Sequence, residues 1–167
     1  RMVDNAIEPF ELLEEGKTDV IFAAKERAEG CDWTPLYNDI MYAVLPPDYP
    51  VSGSNEFPIK NFEGKEFIMP YGKFDIDVNR EFYNNGVKPN IRPAHVDDET
   101  VIRMVSKGLG ITMMSEMMIR GRTNGVKTVK VTPEVGRELG MGMNSGNRMP
   151  DGTAQLKECV LAFLGEK

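Results

Sequence analysis

His95 is the only histidine in the chain. No imidazole pair can therefore share a metal, and His95 has no identifiable nucleophile to serve as its base partner. It reads as a structural or exposed histidine. Asp97, Asp98 and Glu99 could gather a divalent cation, but acids at a helix start more simply cap the helix and complement its dipole. Neither H-E-x-x-H, G-x-S-x-G nor G-x-x-x-x-G-K-[ST] occurs. Gly108-Leu109-Gly110 closes a helix pattern instead of opening one, so it is no dinucleotide fingerprint. Cys31 and Cys159 read as free, packed thiols. Met113, Met114, Met117 and Met118 could line a plastic pocket, with core filling the simpler role. This inventory predicts no enzyme, no cofactor and no metal. It leaves binding: Tyr71 can supply an aromatic wall and Lys73 a charge, at a Tyr71-Gly72-Lys73 turn before a helix whose free amides attract anions.

The element that positions the acidic turn runs from Val101 to Ser115. Val101, Met104 and Val105 share one helical face, and Glu99 precedes Arg103 by four, the favourable direction for an ion pair. Gly108 stops that helix in left-handed backbone, with Leu109 folding back onto Met104. Ile111 to Met114 then reads as a buried strand. Upstream, Pro9 opens a helix that Gly16 ends, with Phe10 and Leu13 inward; Asp19 to Ala24 is a continuously apolar strand. Trp33–Tyr37 and Ile40–Leu45 read as two strands around Asn38-Asp39. Pro46, Pro47 and Pro50 end regular structure. Glu66 to Met69 predicts a strand, Asp75 to Asn85 a helix, and Asn90 to Pro93 an extended piece. Ser115 is expected to cap a short turn. Val126 to Val131 and Arg137 to Met143 predict strands, and Asp151 to Leu164 a last helix burying Leu156, Val160, Phe163 and Leu164.

The chain has 167 residues, 41% hydrophobic, enough for one domain or two small lobes with a core. Its net charge of −6 argues against nucleic-acid binding by this segment, which needs a basic face. No run of 18 apolar residues predicts a membrane span, and no leader pattern is visible, although Arg1 is not an initiator.

V-I-R-M-V-S-K-G-L-G-I resembles the V-x-x-G-x-G-I segment of the ligand-sensing domain of LysR-type transcriptional regulators. E-L-L-E-E-G-K-T-D-V-I-F, W-T-P-L-Y-N-D-I-M-Y-A-V-L-P-P-D-Y-P and I-K-N-F-E-G-K-E-F-I-M match the same family in order and spacing, across nearly the whole chain. Ser115 departs from the family's frequent proline. The resemblance implies an α/β fold of two Rossmann-like lobes, periplasmic-binding-protein type 2-like, with two interlobe crossings. Lobe I is expected at 1–50 and 132–167 and lobe II at 51–131. It implies a cytoplasmic bacterial setting and a small-molecule effector, an organic acid being the candidate class, in the cleft between lobes. Tyr71, Gly72, Lys73, Asp97 and Asp98 from lobe II, with Ala24 and Asn144 from lobe I, are the expected contacts. It further implies a homodimer or homotetramer of the intact protein, with Val3, Arg80, Tyr83 and Ile91 at the interface. DNA would be bound only through a winged helix-turn-helix outside this chain, and the domain's first strand and helix would lie outside it too. A free solute-binding protein of the same fold is the alternative reading.

Overall fold

The structure, a computed structural model, describes residues 7–25, 30–51, 53, 55–70, 76–94, 96–144 and 151–165. The chain divides into two compact units, residues 1–38 with 137–167, and residues 39–136. Each is an α/β assembly.

In the first unit, α1 (Glu8–Glu14) has proline in its first turn and ends at Gly16, whose φ of 66° lets Lys17 N–H reach back to the Leu12 carbonyl at 2.9 Å. Strand β1 (Val20–Ala24) pairs antiparallel with β8 (Gly136–Asn144), which in turn neighbours the first half of β2 (Cys31–Leu45). Phe10 and Leu13 of α1 bury Ile21 and pack against Ala23, Cys31 and Trp33, so odd-numbered positions of β1 and β2 face α1. Gly140 and Gly142 lie under Trp33 and Ile21 on that face. Met141 and Met143 therefore point to the other face, where both are fully buried. The last helix, α5 (Asp151–Gly165), lies on this second face: its Lys157 ammonium pairs with Asp32 at 3.1 Å.

The second unit holds the rest of β2, β3 (Glu56–Pro58), a 3₁₀ turn (Ile59–Phe62), β4 (Glu66–Pro70), α2 (Ile76–Asn85), β5 (Asn90–Ala94), α3 (Asp98–Ser106), β6 (Thr112–Ser115), α4 (Glu116–Ile119) and β7 (Lys127–Thr132). Strand β5 pairs parallel with β4, and an isolated parallel bridge, Phe67–Ile111, brings β4 against the entry to β6. Strand β6 pairs antiparallel with β2, β2 antiparallel with β7, and β7 parallel with β3. Alternation sorts the side chains onto two faces. Ala43, Leu45, Phe67, Met69 and Met113 join the 3₁₀ turn and α2 in one core, where Phe62 makes edge-to-face contacts with Phe57, Phe67 and Phe82 at 4.9–5.6 Å. Val44, Ile68 and Met114 join α3 and α4 in the other.

The helix, turn and strand expected from Val101 to Ser115 are present. Gly108 has φ 73°, Leu109 N–H returns to the Met104 carbonyl at 3.2 Å, and β6 is buried throughout. A Cβ on Gly110 would sit 2.7 Å from the Glu66 carbonyl, so this glycine admits the close approach of β4 and β6. Met113 and Met114 fill opposite cores, as packing predicts.

Three expectations need correction. Trp33–Tyr37 and Ile40–Leu45 are one strand, because the Asp39 carboxylate is buried and bonded within the second unit and makes no turn. On α5, Leu156 and Leu164 are 40% exposed and Phe163 61%; among the described side chains of the helix only Thr153, in the first turn, is buried. Cys159 on the same helix is exposed rather than packed.

Candidate functional site

In the second unit, β4, β5 and β6 run parallel, with Pro70 in register with Ala94. Their C-terminal ends share one edge of the sheet, and from that edge α2, α3 and α4 depart. This is the usual ligand position in open α/β sheets. Tyr71, Gly72 and Lys73, next after β4 in sequence, lie outside the described residues, as does His95.

Each helix start at this edge carries a carboxylate from the chain itself. Asp97 is the N-cap of α3, its Oδ1 accepting the Thr100 N–H at 2.8 Å. That backbone bond, first among the causes, holds the Asp97 carboxyl below its usual range. Asp98 follows, half-buried in the first turn. In α2, Asp77 occupies the first turn and takes the Arg80 guanidinium at 2.7 Å. In α4, Ser115 sits at the N-cap but its side chain makes no capping bond; the buried Asp39 reaches across from β2 and accepts the Met117 N–H at 3.0 Å. The acidic turn is thus a cap, as its sequence predicts, and the amides of α3 and α4 are partly engaged before any ligand arrives.

In the first unit, Ala24 and Asn144 are not brought together. They end β1 and β8, and those strands are antiparallel: Ala24 opposes Leu139, whereas Met143 opposes Val20. Five strand positions at about 3.3 Å each put the two roughly 16 Å apart. Reading both as ends of parallel strands causes the mismatch. Asn144 donates its amide to the Leu13 carbonyl at 2.9 Å, closing the end of α1. Beside Ala24 stands a polar trio that no sequence motif marks. Glu138 Oε1 accepts the Trp33 indole N–H at 2.7 Å and the Lys25 ammonium at 3.1 Å. Lys25 and then Trp33 hold the Glu138 carboxyl below its ordinary value.

Of the expected interface residues, Val3 lies outside the described residues. Arg80 is tied within α2 to Asp77 and Glu81, Tyr83 is 87% exposed, and Ile91 packs partly against the aromatic core from β5. A shallow depression of ≈ 340 Å³ at the opposite edge of the second unit's sheet, walled by Tyr49, Val51, Phe57 and Lys65, contains none of the expected ligand contacts. Among the described residues there is no cluster of three or more His, Cys, Asp or Glu able to hold a metal ion, and no helix long and apolar enough to cross a membrane.

Residues 2–165 match the family described as the LysR substrate binding domain. The chain is 21% identical to the uncharacterized HTH-type transcriptional regulator YybE of Bacillus subtilis (strain 168), over 94% of this chain and 55% of that protein. It therefore spans about half the length of that curated relative. Among solved structures it is similar to the CcmR regulatory domain of Synechocystis PCC6803 in complex with 2-PG, with TM-score 0.81 and 16% identity over 97% of this chain and 81% of that one. It is also similar to the effector binding domain of QuiR in complex with shikimate, with TM-score 0.76 and 14% identity over 98% and 79%. The fold expected from the sequence, α/β and periplasmic-binding-protein type 2-like, is the fold these neighbours share, and the chain belongs to the LysR substrate binding domain family.

Proposed function

We propose that this chain is the effector-sensing half of a LysR-type transcriptional regulator and that its effector is a small organic acid. The observation that carries the reading is the common edge where β4, β5 and β6 end and three helices begin, in a chain of the substrate binding domain family. Because Asp97 and Asp39 already engage the starts of α3 and α4, an anion is received by the turn after β4: Lys73 supplies the charge, Tyr71 a wall and Gly72 room for close approach. Asp98, in the first turn of α3, repels an anion at the same sheet edge unless the effector also offers a donor. The acid bound by QuiR, shikimate, carries hydroxyl donors of this kind.

The chain catalyses nothing in this reading. A ligand that prefers one conformation shifts its population, and the intact oligomer then presents its DNA-binding heads differently. Those heads lie outside residues 1–167, the protein works in the bacterial cytoplasm, and it assembles as a homodimer or homotetramer through Val3, Arg80, Tyr83 and Ile91.

Thermal unfolding against a panel of small acids, shikimate and 2-PG included, tests this. A ligand at a hundred times its dissociation constant stabilises the native state by about 2.7 kcal/mol. Lys73→Ala should abolish the shift for an acid that wild type binds. A shift that survives in Lys73→Ala removes the turn from the site, and a panel that moves nothing removes the organic acid.

A further inference from the structure

The depression of ≈ 340 Å³ in the second unit is formed by residues between Tyr49 and Lys65 alone. Its volume falls in the range of small-molecule pockets, about 300–1,000 Å³. The floor is apolar and held in place. Tyr49 meets Phe57 edge to face with ring centroids 6.1 Å apart, and Phe57 lies 4.9 Å from Phe62 of the aromatic core. Tyr49 and Val51 are half-buried against that core. The Lys127 ammonium donates to the Tyr49 carbonyl at 3.0 Å and ties this stretch to β7. The rim is charged with both signs: Lys60 and Lys65 stand on it with Glu56 and Glu63. Glu56 opposes Lys130 across the β3–β7 ladder. Glu63 gives one oxygen, Oε2, to the Lys88 N–H at 2.7 Å, which leaves Oε1 as an acceptor. The Lys60 ammonium donates to the Asn85 carbonyl at the end of α2 and keeps further hydrogens to give. Lys65 is exposed and makes no ion pair among the described residues.

We propose that this depression binds an α-amino acid with an apolar side chain, at a site separate from the sheet edge where β4, β5 and β6 end. The carboxylate of the amino acid meets Lys65 and Lys60, its ammonium meets Glu63, and its side chain lies on Tyr49 and Val51 over Phe57. The charges on the rim cancel, so a plain anion gains from the lysines what it loses to the two glutamates. A zwitterion answers both signs at once. The apolar floor accounts for the third part of the molecule, since burying it against Tyr49 and Val51 is favourable only for a side chain without polar groups. Every contact comes from the second unit, so binding here is independent of the organic acid at the other edge.

Equilibrium dialysis of the 167-residue chain against radiolabelled phenylalanine and leucine tests this. The expected result is saturable binding of at least one of them, with a Kd at least tenfold weaker in Lys65→Ala and in Glu63→Gln. Lys65 is exposed, and glutamine at 63 keeps an acceptor for the Lys88 N–H, so both variants should unfold at the wild-type Tm. 3-Phenylpropionate and phenethylamine each lack one of the two charges, and each should compete at least tenfold more weakly than phenylalanine. Competition by 3-phenylpropionate equal to that of phenylalanine overturns the proposal. So does binding that survives both variants, which places the amino acid elsewhere on the chain. Absence of saturable binding of either amino acid up to about 10 mM overturns it as well.

Discussion

The carboxylate of Asp39 and the backbone N–H of Met117, 78 residues apart in sequence, are joined by a 3.0 Å hydrogen bond. Asp39 is fully buried in β2, and Met41, two residues on, pairs with Ser115 at the end of β6. The bond fixes a four-residue helix too short to hold itself together. Replacing Asp39 by alanine leaves a helix-start amide without its charged acceptor. The expected loss is about 2 kcal/mol, the range for hydrogen bonds to charged groups. Asp39→Asn keeps an acceptor oxygen and should lose roughly half as much. Urea midpoints of the two variants check the order; equal losses would show that the acceptor is not what matters.

Trp33 is the only tryptophan, which makes its bond to Glu138 visible. Lys25 first, then the indole, keep the Glu138 carboxyl below the ordinary value of 4.5. A lowered pKa means the bond is complete above that value and is lost as pH falls through the depressed one. Tryptophan emission should therefore be flat from neutral pH to about 4.5 and change below it. In Glu138→Gln the acid transition should vanish. A transition that remains there belongs to another group.

Asp97 follows the same sign. Its carboxyl is held below the ordinary 3.8 chiefly by the Thr100 N–H, so its support of α3 is present above that value and fades as pH falls below it. Asp97→Asn retains the cap without the charge. The stability difference between wild type and Asp97→Asn should shrink as acid is added, which denaturation midpoints at pH 6 and pH 3 can measure. A difference that does not change with pH contradicts the assignment.

Gly140 has no room for a methyl group: a Cβ there would lie 2.4 Å from Trp33 Cζ2 and 2.7 Å from the Thr34 carbonyl. Gly140→Ala should cost about 2 kcal/mol or more, as overpacking does. Gly152→Ala, at an open position in the first turn of α5, should be neutral or slightly stabilising. Thermal unfolding of the pair separates crowding from a general intolerance of glycine replacement.

The sequence is most legible where one residue decides its own neighbourhood. Gly16 and Gly108 end their helices in left-handed backbone, Asp97 caps the next one, and the apolar run after Gly110 becomes a buried strand. It is least legible where the deciding partner is remote. Asn38-Asp39 has turn chemistry, yet Asp39 is held by an amide from α4 and the strand runs straight through. An acid immediately before the run I-M-Y-A-V-L is the signal in the sequence, since a buried carboxylate needs a partner. Ala24 and Asn144 were grouped by being strand ends, and strand direction, which local pattern does not carry, separates them. The trio of Lys25, Trp33 and Glu138 joins β2 and β8 to the residue just after β1 and leaves no spacing to read.

The fifteen residues from Cys31 to Leu45 have one further consequence. Successive side chains of a strand point to opposite sides, so inserting one residue at Asn38–Asp39 would turn Ala43 and Leu45 toward α3 and Val44 toward the phenylalanines. Relatives of this chain should therefore vary in length after Pro46 and almost never between Trp33 and Leu45: the joint tolerates rewording but not an added letter.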